Sequence, residues 1–254
     1  MILQTQVPYD IFSSQRLPGT RPLDFADWLI TDEAYAAQMA ERARLLREDR
    51  NAVLAVLPEC AEAAEETLDL ALAHLPDGVT VMDGVLQCPD GRSVPIDRSD
   101  PLGTLGHALQ EDFCVMQKQG DEYVLTGAVL CFPSIWRLHE KLGRPMTVIH
   151  EPVKSYDGDI ARRVARLFDG LNADRPIWRF NARWHEHAQL FQPWSEVRQR
   201  DTADRGAAPY MRSERQSLLR LPRSGAVLFT IHTFVLTRAD AERQRSGQEG
   251  GNLL

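Results

Sequence analysis

An α+β fold carrying antiparallel hairpins is what this 254-residue chain predicts, on three observations. Two helical stretches lie together towards the N-terminus. From Val79 onward the texture changes to short apolar runs parted by turn residues. Short helices fall between those runs rather than alternating with them one for one, and segregation of this kind builds α+β domains, not doubly wound parallel sheets.

Residues 1–22 carry Pro8, Pro18, Gly19 and Pro22 and read as an extended arm with turns. A helix is expected from about Asp27 to Arg50, with Trp28, Leu29, Tyr35, Met39 and Leu46 marking its apolar face. Pro58 opens a second helix, about Glu59 to His74, which Pro76-Asp77-Gly78 ends. Val79–Met82 and Val85–Cys88 flank Asp83-Gly84 as a short hairpin. Phe113–Lys118 and Tyr123–Phe132 flank Gln119-Gly120-Asp121 as a longer one. SIWRLHEKLG reads as a short helix between Pro133-Ser134 and Gly143, and residues 157–171 as another. WRFNARW alternates like a strand. The clearest hairpin joins MRSERQSLLRLP to AVLFTIHTFVL across Arg223-Ser224-Gly225. From about residue 239 the chain turns polar and is expected to fray. Gly103-x-x-Gly106 is too sparse for a phosphate-binding loop.

Hydrophobic residues make up 43% and charged residues 26%, the balance of a soluble globular protein. A formal charge of −7, with no basic stripe to neutralise phosphates, argues against nucleic acid as a partner. No uninterrupted apolar run reaches the ~18 residues of a membrane helix. MILQTQVPYD has neither the basic start nor the apolar stretch of a secretory signal, so cytoplasm is the expected compartment. Cys60, Cys88, Cys114 and Cys131 form no C-x-x-C pair and are expected as free, mostly buried thiols rather than zinc or iron–sulfur ligands.

Among seven histidines, His150 stands apart. It ends the apolar run Met146, Val148, Ile149 and is followed by Glu151-Pro152, which stops a helix and favours extended backbone. A buried neutral imidazole needs a partner for its nitrogens. A hydrogen-bonded core residue satisfies that need, and so does iron in a porphyrin, whose apolar planes want aliphatic walls; the residues alone favour the core histidine. His185 and His187 would share one face of a strand, a conceivable metal pair that lacks a third ligand. His74 sits at a helix end, His139 among charged residues, and His107 and His232 have no sequence neighbour that fixes a role.

The second constellation is RSERQSLLRLPRSG. Strand alternation puts Arg212 and Glu214 on one face and Arg215, with Ser213, on the other. Either this is a solvated sheet face or the charges pair beside a cavity.

At these segments the chain resembles a known family. QEDFCVM (110–116), LCFPSIWRLHEKLG (130–143), IHEPV (149–153) and RSERQSLLRLPRSGAVLFTIHTF (212–234) resemble, in the same order, the haem-dependent oxidative N-demethylase family, over about residues 20–240. That resemblance implies a PAS-like antiparallel sheet with haem b in its core, giving an arm (1–22), a haem-binding domain with its N-terminal helices (23–238) and a flexible tail (239–254). It implies an oxidase of a small secondary or tertiary amine, using O2 and electrons from reductase subunits. FMN, a 2Fe–2S centre, folate and NADPH would belong to those partner chains. Residue by residue, it makes His150 the proximal haem ligand and Arg212, Glu214 and Arg215 the substrate-facing group, with Gln216 completing the motif. Trp136 reads as a pocket wall, and Phe132 as a further cofactor contact. Two departures stand out: Arg179-Phe180-Asn181-Ala182 replaces the family's Arg-x-Asn-Trp, with Trp184 displaced, and His232 stands where the family often has Arg. The PAS-like resemblance also admits a haem-based gas or redox sensor, and a module without haem remains the plainest alternative.

Overall fold

The structure, a computed structural model, describes residues 1–13, 19–150, 158–194 and 207–251, without the side chains of 150, 158–161 and 246–251. A two-residue strand, β1 (Arg21–Pro22), leads into a 3-10 turn, Phe25–Asp27, that Asp24 caps through the Ala26 amide. Helix α1 (Tyr35–Glu48) follows. Its buried residues Tyr35, Gln38, Met39, Arg42, Leu45 and Leu46 recur at helical spacing on one face.

The helix expected from Asp27 thus starts only at Tyr35, and the reason is long-range. The Ile30 amide donates to Glu111 Oε1 at 2.8 Å, the Asp32 amide to Gln110 Oε1 at 3.0 Å, and the Trp28 indole to Thr230 Oγ1 at 3.1 Å. Those partners hold residues 28–32 in a non-helical path that local propensity cannot foresee.

The chain continues through α2 (Arg50–Val53), β2 (Leu54–Val56), a 3-10 turn Pro58–Cys60 and α3 (Ala61–Ala73). β3 (Thr80–Met82), β4 (Val85–Gln87) and β5 (Ser93–Pro95) form a small antiparallel sheet. Asp83 and Gly84 both take positive φ, 53° and 74°, as the expected D-G hairpin requires. Then α4 (Pro101–Ala108) crosses the back of the large sheet. A Cβ on Gly106 would stand 2.7 Å from Val129 Cγ2, so this glycine serves close helix–sheet contact.

β6 (Asp112–Gln119) and β7 (Glu122–Val129) form the expected second hairpin. Three short helices follow: α5 (Leu138–Lys141), α6 (Met146–His150) and α7 (Gly158–Asp169). β8 (Ile177–His185), β9 (Tyr210–Arg220) and β10 (Val227–Thr237) complete the strands. The turn after β9 is fixed by the buried Glu66 of α3, which accepts from the amides of Arg223 and Ser224 at 2.6 and 2.8 Å. The segment expected to fray instead forms α8 (Arg238–Gly251). Ala241 is buried, and Gln244 donates to the carbonyls of Val7 and Tyr9, so the N-terminal arm and this helix hold each other.

The fold is α+β, as expected: a seven-stranded sheet in the order β1-β8-β9-β10-β6-β7-β2, every pairing antiparallel, beside the small sheet. One face of the large sheet is covered by α1, α3 and α4 over the main core of Met39, Leu68, Leu105, Phe113 and Leu228. On the opposite face, Cys114, Met116, Leu125, Leu218 and Ile231 meet residues of α5, α6 and α7. A third cluster joins Val7, Tyr9 and Ile11 of the arm to Phe234 and Leu236. Among the described residues, no helix is long and apolar enough to cross a membrane.

Candidate functional site

The register of β8, β9 and β10 assigns each side chain to a face. Arg179 lies opposite Gln216, Asn181 opposite Glu214, and Arg183 opposite Arg212. Glu214 in turn lies opposite Thr233, and Gln216 opposite Ile231. Direct partners in an antiparallel ladder share a face. Arg179, Asn181, Arg183, Arg212, Glu214, Gln216 and Thr233 therefore stand together on the side of Leu218 and Ile231, the α6–α7 side.

Glu214 is the centre of this group. Asn181 Nδ2 donates to its Oε2 at 2.9 Å and Gln216 Nε2 to the same oxygen at 3.3 Å. Arg212 Nε stands 3.5 Å from Oε1, with side chains 2% and 13% exposed. Arg212 also donates from Nη2 to the Phe132 carbonyl at 2.6 Å and from Nη1 to the Leu190 carbonyl at 3.1 Å, tying β9 to the segments around it. Burial holds its guanidinium below the usual arginine range, against the pull of Glu214 and Asp112. Of the two arrangements that strand alternation left open, a solvated face or paired charges, the charges are paired, beside an apolar wall.

Arg215 does not join them. It takes the opposite face, where Nη1 and Nη2 donate to the carbonyls of Trp28 and Asp27 at 3.1 and 2.7 Å, and its guanidinium lies 5.0 Å from the Trp178 ring. Its cross-strand neighbour there is His232. His232 is 1% exposed and held between two carboxylates, Glu111 at 2.9 Å from Nδ1 and Asp32 at 3.1 Å from Nε2. Burial opposes its charge, yet the bonds to Asp32 and Glu111 outweigh burial and lift its pKa to about 9. Of the two departures from the family pattern, Ala182 lies opposite Ser213 and packs on the third cluster, on the face away from Glu214, and His232 lies on that face too.

The remaining candidates are placed as follows. His150 ends α6, whose Met146 and Ile149 pack on the Leu218–Ile231 cluster; its side chain, Glu151 and Pro152 lie outside the described residues. Trp136 packs against the same cluster, with Lys141 Nζ 4.8 Å from its ring centroid. Phe132 is buried in the main core, its ring 5.3 Å from the Arg42 guanidinium, which itself pairs with Asp112 at 2.7 Å. His185 ends β8 and His187 lies beyond it near Trp194, so the two are not neighbours on one strand. Among the described residues no three His, Cys, Asp or Glu side chains gather as a metal site. The four cysteines are buried and free.

Among the described residues, three buried polar atoms on the Glu214 face have no hydrogen-bond partner: Arg179 Nε, Arg212 Nε and Thr233 Oγ1. Native proteins leave few such atoms without a reason. Set beside the aliphatic surface of Cys114, Met116, Leu218 and Ile231, they suit a group that is apolar over its breadth and polar or anionic at its edge. A porphyrin has that character, so the residues present fit haem. Sequence reasoning met Arg179 only within a segment that departs from the family pattern and passed over Thr233, because their place becomes legible only from the three-strand register. A family model described as haem-dependent oxidative N-demethylase, alpha subunit-like, matches residues 19–249. That span is nearly the whole chain, and the protein belongs to this haem-dependent oxidative N-demethylase, alpha subunit-like family.

Proposed function

We propose that the chain is a haem-binding oxidase of a small secondary or tertiary amine, working with O2 and with electrons supplied by a separate reductase. The observation that carries this reading is Glu214, a carboxylate held by Asn181, Gln216 and Arg212 at the edge of an apolar surface. His150, at the end of α6, would ligate the iron, with Trp136 and the Leu218–Ile231 cluster against the ring. This would be a PAS-like use of a sheet face. Haem b bound there would supply the iron–O2 redox chemistry that no protein side chain offers.

The chain's own residues would bind and orient. Glu214 accepts a hydrogen bond from the amine, and Arg212 holds that carboxylate in place. Asn181 fixes the second oxygen, so the carboxylate needs little reorganisation when the amine arrives. Arg215 acts from behind the sheet, anchoring residues 27–28 to the same strand. The imine formed by oxidation hydrolyses to formaldehyde and the smaller amine.

The test is an absorption spectrum of the purified protein with added haem, compared with His150→Ala. The wild type is expected to show a Soret band, and the variant to lose it or shift it strongly while its circular dichroism is unchanged. A variant spectrum matching wild type would remove His150 from the iron, with His139 the next residue to examine.

A further inference from the structure

Among the described residues, the Glu214 face carries more positive charge than the Glu214 carboxylate answers. Arg179, Arg183 and Arg212 stand on it together. Arg212 is already answered by Glu214 and by backbone carbonyls. Arg179 is half-buried, its Nε is sealed from solvent without a hydrogen-bond partner, and among the described residues no carboxylate lies within ion-pair distance of it. Burial and the nearby Arg183 depress its pKa, and Glu214 only partly offsets them, the signature of a cation lacking an anion. Alternate residues of a strand are about 6.5 Å apart on one face. Arg179 and Arg183 can therefore flank a single ligand group beside Asn181.

We propose that Arg179, assisted by Arg183, is a carboxylate seat on this face. The carboxylate would come either from the propionate edge of haem or from a substrate amine that bears its own carboxylate. The first source rests on the haem reading above; the second does not. A guanidinium offers paired donors that match a carboxylate in two places, which an ammonium cannot do. A plain cationic amine would meet Glu214 and then two arginines that no described carboxylate answers. A zwitterionic N-methyl amino acid matches both, its ammonium at Glu214 and its carboxylate at Arg179. Thr233, 1% exposed, with a hydroxyl that has no partner among the described residues and directly across from Glu214, adds a neutral donor beside Glu214, on the far side of β9 from Arg179.

The experiment compares the full chain with Arg179→Gln and Arg179→Lys, each checked for folding by circular dichroism. Affinities are measured for haem, for haem dimethyl ester, and by calorimetry for N-methylglycine and dimethylamine. If propionate is the source, Arg179→Gln weakens haem at least tenfold and leaves the dimethyl ester unchanged. If the substrate is the source, N-methylglycine weakens at least tenfold and dimethylamine does not. Should Arg179→Gln fail to fold, Arg179→Lys decides by the same comparison, with a loss of about threefold because charge survives and the paired geometry does not. Wild-type affinities in the variants for haem, ester and N-methylglycine alike would overturn the seat. A wild type showing no Soret band with added haem would defeat the haem reading instead. Calorimetry with N-methylglycine would then decide the seat alone, an absence of wild-type binding counting against it.

Discussion

Glu214 has a charge and a shape, and a single substitution separates them. Glu214→Gln keeps the side-chain volume and can still pair with Asn181 and Gln216, but it leaves Arg212 without its counter-ion and the amine without an anion. We expect haem content near wild type and a spectral response to dimethylamine weakened about tenfold, equivalent to ~1.4 kcal/mol. An unchanged amine titration, in a protein whose wild type responds, would make Glu214 a structural partner of Arg212 and nothing more. The pairing of Arg212 with Glu214, and the exile of Arg215 to the other face, were legible from alternation within one strand. His232 was not. Its partners Asp32 and Glu111 lie 200 and 121 residues away in sequence, and no local pattern announces a charge cluster assembled from three elements.

The cluster around His232 acts on whole elements, because it ties the non-helical segment before α1 and the start of β6 to β10. Gln110 and Gln4 add bonds to Asp32 at 2.8 Å each, and Arg215 stands alongside as a second cation. Burial would raise the Asp32 carboxyl, yet the bond and charge of His232 prevail and bring it down to about 2. The signs then follow. His232, raised from 6.5 to about 9, contributes stability that is full below pH 6.5 and is lost as pH rises through about 9. Asp32, depressed from 3.8 to about 2, contributes above pH 3.8 and is lost as pH falls through about 2. The His232 shift corresponds to roughly 3 kcal/mol. Urea unfolding should therefore find the chain losing stability between pH 6.5 and 9, and His232→Ala should be destabilised by about 3 kcal/mol or more at pH 6 because two buried carboxylates lose their cation. The same slope in the variant as in wild type would assign the pH dependence elsewhere. At this scale the hairpins were readable, since turn residues and alternation are local. The elements α2, β2 and β5 were not, being too short to show a period, and the late start of α1 was set by contacts from β6 and β10.

Across the whole molecule, α1, α3 and α4 cover one face of the large sheet and the Glu214 group shares the other with α5, α6 and α7, so the proposed chemistry is divided from the main core. That division leaves one question of supply. An oxidase that draws on outside electrons, as proposed, must be re-reduced after each turnover, and the family to which the chain belongs is described as alpha subunit-like, which implies other subunits or partners. The cysteines are poorly placed to form a cluster of their own. Burial pushes the Cys60 thiol up to about 11 and the Cys131 thiol up to about 12, against lesser opposing contributions, and Cys114 sits on the face of the sheet opposite their core. Thiolate is the form that ligates iron. The isolated chain loaded with haem should therefore show no sustained NADPH oxidation with dimethylamine, whereas dithionite followed by O2, or an added reductase, should release formaldehyde. Iron in excess of one per chain, or NADPH consumption by the pure protein, would contradict a chain that depends on outside electrons. Haem binding without formaldehyde under any reductant would turn the reading towards a sensor, in which the Glu214 face recognises a ligand and does not transform it.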